Sequence, residues 1–244
     1  MKFRLKAFAI HLLASLLVAM ASLYLVFHLW HPDPLQKAVG VTGIFLLVLA
    51  VDMVLGPLLT LVVASDAKKK TLKFDMAVII ACQIAAYLYG MHSIAVSRPV
   101  YVAFDVLRFE VVQADSVVRD ESKAILPQFE RNPWFKFHWA AVRPFQDAKE
   151  QNNRTFYELQ TGISPTMQAH LYQSIEQAWP AMNARKHHLD ELKKYNSPEV
   201  VQQILHQYPQ TDSYLPLKAP VQDMAVLLDS RQRKIIKIVD LRPF

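Results

Sequence analysis

Three long apolar runs occupy the first hundred positions of the chain, and the pattern changes abruptly after them. The runs cover residues 7–30, 38–64 and 76–96. Each can cross a bilayer core, which takes about 20 helical residues at ~1.5 Å rise. From residue 98 onward, short alternating runs and helical stripes replace them. The expected fold is a membrane protein with three N-terminal transmembrane helices (residues 1–97), followed by a small α+β extracytoplasmic domain (residues 98–244).

The second part opens and closes with strand-like sequence. Residues 99–104 and 107–112 alternate apolar and polar positions around Asp105 and read as strands or a hairpin. Residues 224–228 and 235–239 flank a polar connection and read as a second hairpin. Between them, Ser164-Pro165 supplies an N-cap and a first-turn proline. Met167, Leu171, Ile175 and Trp179 follow at spacing four, so a helix stopped by Pro180 is expected. Ser197-Pro198-Glu199 repeats the device, with Val200, Val201, Ile204 and Leu205 on one face and a stop at Tyr208-Pro209. Both stripes read as core.

Charge adds an orientation. Lys2, Arg4 and Lys6 precede the first run, and Lys68, Lys69, Lys70 and Lys73 outnumber Asp66 and Asp75 between the second and third. Positive loops stay inside, so the N-terminus and this loop are expected in the cytoplasm, and the domain in the periplasm of a bacterium. Trp30 followed by His31-Pro32-Asp33-Pro34 reads as a membrane exit. Ala19-Met20-Ala21 offers a signal-peptidase reading of the first run, but the apolar stretch continues through Leu29, and a retained anchor is expected. Eight Lys+Arg and four Asp+Glu precede Arg98, against nineteen and seventeen from there on, so most of the net charge of +6 is topogenic and nucleic-acid binding is not expected. The single cysteine, Cys82, excludes an intrachain disulfide or a CxxC site.

Candidate chemistry concentrates in the second run. Asp52 lies in its middle, where an ionised carboxylate costs at least ~2.5 kcal/mol, which makes it a functional candidate in need of a partner. Protonation lowers that cost. His11, His28, Gln83 and His92 are the available partners, and depth favours Gln83. Gly56-Pro57 interrupts the same helix: proline lacks a donor, a kink is expected, and the freed carbonyl near Met53 is within reach of Asp52 or Thr60. Gly56 is then a close-contact point for another helix.

Catalytic signals are weak. Asp52 is the one acidic residue well inside a span, so no carboxylate pair is available. His11 and Ser15 share a helical face without an orienting acid. His187-His188 with Asp190 and Glu191, read as helical, points at most one imidazole to a metal. No catalytic, cofactor or metal site is expected. The cluster Pro133-Trp134-Phe135-Lys136-Phe137-His138-Trp139 fits a partner-binding surface, a segment dipping into lipid headgroups, or core.

In combination, Asp52 with the run Leu55-Gly56-Pro57-Leu58-Leu59-Thr60-Leu61-Val62-Val63, Arg98-Pro99-Val100 leading to Asp105 through Arg108-Phe109-Glu110-Val111-Val112, and the ending Ile238-Val239-Asp240-Leu241-Arg242-Pro243-Phe244 resemble the TfpX/TfpZ family of type IV pilin accessory proteins. The resemblance covers both ends of the chain and little of residues 115–215, and Phe244 stands where the family is expected to carry tryptophan. It implies a non-enzymatic inner-membrane protein that contacts the major pilin or the assembly machinery, lies among membrane lipid and modulates assembly against retraction. The matching positions Asp52, Gly56, Pro57 and, as Asp52's partner, Gln83 form the candidate intramembrane docking site. Arg108, Glu110, Asp240 and Arg242, together with Trp134 of the aromatic cluster, are the candidate structural or interaction positions of the domain. The alternative from another class is a membrane-anchored periplasmic sensor or ligand-binding module signalling through a partner.

Overall fold

The computed structural model describes residues 2–63 and 69–244. Asp66 and Lys68 of the expected cytoplasmic loop lie outside the described residues, as do the side chains of Lys2, Arg4, Lys69 and Lys70. The chain divides into two compact units, Met1–Gln36 with Gly40–Ser97, and Lys37–Val39 with Arg98–Phe244.

In the first unit, α1 (Lys2–Tyr24) runs on as a π-helical turn, Leu25–Trp30. It ends where the His31 N–H reaches back to the Val26 carbonyl. After α2 (Leu35–Val39), whose last three residues belong to the second unit, Gly40 adopts a left-handed φ of 71°, which separates that turn from α3 (Val41–Ala50). A second π-helical turn, Val51–Leu55, leads into α4 (Gly56–Val63), and α5 (Lys69–Val96) completes the unit. Three segments, Leu5–Trp30, Val41–Val63 and Leu72–Val96, are long and apolar enough to cross a membrane. Leu47, Val62 and Tyr89 are 67%, 72% and 76% exposed, the inside-out distribution of helices meant for lipid.

The second unit is a curled, eight-stranded mixed sheet with helices. Its strands are β1 (Pro99–Asp105), β2 (Arg108–Gln113), β3 (His138–Val142), β4 (Tyr172–Gln173), β5 (His187–His188), β6 (Ser213–Lys218), β7 (Met224–Asp229) and β8 (Lys234–Val239). They run in the order β4-β3-β1-β2-β6-β7-β8, with β5 also on β6. Both expected hairpins are present, with Asp105 opposite Arg108 in one and Asp229 opposite Lys234 in the other. They are joined through β6, which pairs in parallel with β2 and antiparallel with β7, and β3 adds to β1 in parallel. The helices are α6 (Ala148–Thr161), α7 (Trp179–Arg185) and α8 (Pro198–Gln207). Two apolar clusters hold the unit together: Tyr101, Val112, Phe129 and Tyr172 in one, Leu192, Val201, Tyr214 and Leu227 in the other. The fold class is the one the pattern predicts.

Three local expectations are corrected. The stripe from Met167 to Trp179 is not one helix: it forms 3₁₀ turns at Pro165–Met167, Ala169–Leu171 and Ile175–Ala178, with β4 between them. Its backbone is drawn into other pairings, the Leu171 carbonyl accepting from Arg143 N–H and the Ala169 N–H donating to Val118. Pro180 consequently opens a helix, α7, where its missing donor costs nothing. His187 and His188 form a strand rather than part of a helix, with His187 against the Tyr214 ring and Nδ1 3.5 Å from Glu191. Finally, α8 is capped by Ser197 as expected and buries Val201, but Val200 is exposed.

Candidate functional site

The interior of the first unit is linked by polar bonds between every pair of its long helices. His11 Nδ1 meets Thr60 Oγ1 at 2.6 Å, joining α1 to α4. Ser22 Oγ and Tyr87 Oη lie 2.8 Å apart, joining α1 to α5. Gln83 Nε2 donates to the Asp52 carbonyl at 3.4 Å, joining α5 to the π-helical turn. In apolar surroundings such bonds are geometrically selective even when individually modest.

The Asp52–Gln83 link follows from the helix's own register. In the π-helical turn the Gly56 N–H bonds to the Val51 carbonyl, five residues back. The next donor in that ladder belongs to position 57, where proline has none, so the carbonyl left over is that of Asp52. Gln83 supplies the missing donor. The expected pairing of Asp52 with Gln83 is therefore made through the Asp52 main chain, and the freed carbonyl is one residue earlier than an α-helical count places it. Thr60, the other expected donor, is engaged by His11. Gly56 is what admits Gln83, because a Cβ there would stand 1.7 Å from Gln83 Nε2. Gly90 plays a similar part, its missing Cβ leaving room for Val48.

Beside these bonds an apolar cleft of about 710 Å³ opens between α1 and α5. Ile10, Ala14 and Val18 line one wall and Ile80, Ile84 and Leu88 the other, with His11, Asp52 and Gln83 among the few polar residues on a mostly hydrocarbon surface. Such a cleft suits an apolar helix or acyl chain that carries one or two hydrogen-bonding groups.

The candidate positions of the domain fall into three separate places. Arg108 grips Glu110 Oε1 through Nε and Nη2 at 3.1 and 2.9 Å, while Thr166 Oγ1 donates to Oε2 at 2.8 Å. Burial, with Glu110 and Glu158 near, pushes the neighbouring Asp105 carboxyl up to about 6, against the opposing pull of Arg154 and Arg108. At the other end, Asp240 accepts from Lys37 Nζ at 3.0 Å and from Gln222 and Arg242 at 2.7 Å each. Burial alone raises the Asp240 carboxyl, and the Lys37 and Arg242 bonds more than reverse this, leaving it below the usual range. Arg242 also donates to the Asp223 carbonyl, and Ala38 O accepts from Val221 and Gln222 N–H groups, so residues 37–39 are built into the domain. Trp134 stands apart, its ring 4.7 Å from the Arg98 guanidinium. Of the aromatic cluster, Phe137 and Trp139 pack edge-to-face and Trp139 meets Phe109, whereas Trp134 and Phe135 are exposed.

Sequence reasoning missed α6. Asp147 caps it by accepting from the Glu150 N–H, and Gly162 closes it at a φ of 71°. The Asp147–Glu150 spacing and the glycine were visible signals, but its mostly polar sequence lacks the apolar stripe that marks a core-facing helix. Glu150 bridges Arg143 and the buried Arg154 at 2.6 Å each, and the Arg143 bond first of all draws its carboxyl down to about 2. No group of three or more potential metal ligands occurs among the described residues.

Three long apolar helices with an apolar cleft that carries a few polar groups, followed by a mixed-sheet domain, define a class of membrane-anchored, multi-helix proteins carrying a globular module. Residues 1–40 match the family described as fimbrial assembly protein FimB. Three proteins of Dichelobacter nodosus are similar over longer stretches. The fimbrial assembly protein of serogroup I is 35% identical over 169 residues, 68% of this chain and 66% of the relative. That of serogroup E1 is 36% identical over 150 residues, 61% and 58% of the two chains. That of serogroups C1 and C2 is 36% identical over 127 residues, 52% of this chain and 94% of the relative. The chain belongs to this family of fimbrial assembly proteins. It spans just under two thirds of the first relative's length and less of the second's. No solved structure matches it significantly.

Proposed function

We propose that this protein is an inner-membrane accessory factor of type IV pilus biogenesis, of the TfpX/TfpZ kind, and that it acts by binding rather than by catalysis. Its N-terminus lies in the cytoplasm, its three helices among membrane lipid, and residues 98–244 in the periplasm. The factor holds a pilin, or a component of the assembly machinery, and shifts the balance between assembly and retraction.

The observation that carries this reading is the cleft between α1 and α5. A pilin before assembly is anchored by one apolar helix with its globular head outside, and the cleft offers that helix an apolar wall with Asp52, Gln83 and His11 at fixed depth. Membership of the fimbrial assembly family supports the same reading. Arg108, Glu110, Asp240 and Arg242 then serve by holding the domain in shape.

Photoreactive residues placed at Ile84, on the cleft wall, and at Phe135, on the domain, test the reading in living cells. Recovery of the major pilin or an assembly protein at Ile84 supports it. Normal surface piliation in all of Asp52→Ala, Gly56→Leu and Pro57→Ala, with no pilus component captured at Ile84, sinks it.

A further inference from the structure

The domain holds a large aromatic group, Trp134, beside Arg98, the first residue of its main segment. Trp134 and Phe135 are 59% and 52% exposed, and Lys136 beside them is exposed as well. Of the residues that follow, Phe137 packs edge-to-face on Trp139, and His138, still exposed, opens β3, whose later residues are buried. The tip is held from behind: Arg98, itself 6% exposed, places its guanidinium 4.7 Å from the Trp134 ring and donates from Nη2 to the Pro133 carbonyl at 3.3 Å.

Arg98 is also the second residue after Val96, where the third apolar helix ends. Two residues of extended chain reach at most ~7 Å, and the headgroup layer on each side of a hydrocarbon core is of similar thickness, ~5–8 Å. The covalent chain, one arginine side chain and the 4.7 Å Arg98–Trp134 contact together keep the loop within reach of the headgroup layer that α5 would leave through. Its composition suits that level. Tryptophan is the side chain most enriched in the headgroup zone, and phenylalanine adds apolar area. Beside them the exposed Arg131 and Lys136 stand against the exposed Glu130, a net positive charge complementary to anionic lipid.

We propose that the Trp134-Phe135-Lys136 loop docks on the headgroup layer of the bilayer, as an anchor that fixes the domain against the membrane surface. The inference rests on the third helix crossing the membrane, and goes beyond the pilus reading, which does not require the domain to touch lipid. With Trp134 and Phe135 inserted, the domain loses the freedom to tumble on its tether.

The test uses the full chain with Cys82→Ala, reconstituted in vesicles of mixed phosphatidylcholine and phosphatidylglycerol. Single cysteines are introduced by Phe135→Cys, Tyr89→Cys or Leu159→Cys and carry a fluorophore; quenching is read from a nitroxide on the lipid headgroup. Tyr89 is exposed within α5, and Leu159, 80% exposed on α6, serves as the reference position on the domain surface. The expected result is quenching at position 135 severalfold stronger than at 159. Equal, weak quenching at 135 and 159 with strong quenching at 89 overturns the anchor while leaving the membrane span intact. Weak quenching at 89 as well removes the span, and the anchor with it. Because Phe135 is exposed, its replacement leaves the packed interior untouched, and unchanged circular dichroism confirms the fold.

Discussion

Gln83 Nε2 stands where a methyl group on Gly56 would lie 1.7 Å away, and that same nitrogen donates to the Asp52 carbonyl that Pro57 leaves without a partner. Glycine, proline and glutamine thus form one device. Proline creates the orphan acceptor, glycine clears the approach, and glutamine on the neighbouring helix fills the vacancy.

Gly56→Ala is expected to push the Gln83 amide aside rather than break the bundle, since the colliding atoms end a flexible side chain. The loss is then that of one interhelical hydrogen bond, ~0.6–1.7 kcal/mol. Gln83→Ala should cost a similar amount, and the double variant no more than either single one. Unfolding of the full chain in mixed micelles measures this, and additive losses would show that Gly56 and Gln83 act separately.

Asp105 carries the reverse of an ordinary carboxylate's pH dependence. Its folded value of about 6 lies above the ordinary 3.8, so the native state holds a proton that the unfolded chain has already released. Stability contributed by this group is present below about 4 and declines as pH rises to about 6. Asp105→Asn should therefore stabilise the protein at pH 7 by on the order of 1–2 kcal/mol and leave it nearly unchanged at pH 4, as thermal melts at the two values will show.

Val106 closes the β1–β2 hairpin with a φ of 50°, in the left-handed region that a β-branched side chain rarely enters. Glycine or asparagine occupies that region with less strain, so Val106→Gly or Val106→Asn should raise stability by ~1 kcal/mol. A higher melting temperature with an unchanged circular dichroism spectrum is the expected readout. A lower one would mean that the Val106 side chain makes a contact worth more than the strain.

Arg242 binds Asp240 through its side chain, reaches the Asp223 carbonyl with the same guanidinium, and takes Asn196 Oδ1 on its main-chain N–H. Arg242→Ala should cost ~1–2 kcal/mol at neutral pH, and Arg242→Lys should recover part of it, because a single ammonium cannot reproduce the fork. The Asp240 carboxyl is held low, so its pairing contributes stability above about 4 and loses it as pH falls below that. The difference between wild type and Arg242→Ala should accordingly shrink on acidification, measured by urea unfolding at pH 7 and pH 3.

The sequence by itself determined the elements whose signals are local. Three uninterrupted apolar runs, two hairpins of alternating residues and the Ser197-Pro198 helix start are written in neighbouring positions, because helix length, strand alternation and capping each depend on a few consecutive residues. Pro57 announced an orphan carbonyl, and depth alone pointed to Gln83. Only the tertiary structure decided which atom Gln83 serves, since that turns on a π-helical register that moves the orphan from Met53 to Asp52. The joining of the two hairpins through β6, parallel to β2 and antiparallel to β7, the drafting of residues 165–179 into turns and a short strand, and the separation of Trp134 from Trp139 were settled in the same way. Each depends on partners distant in sequence, whose hydrogen bonds and packing override the local preference of the segment they recruit.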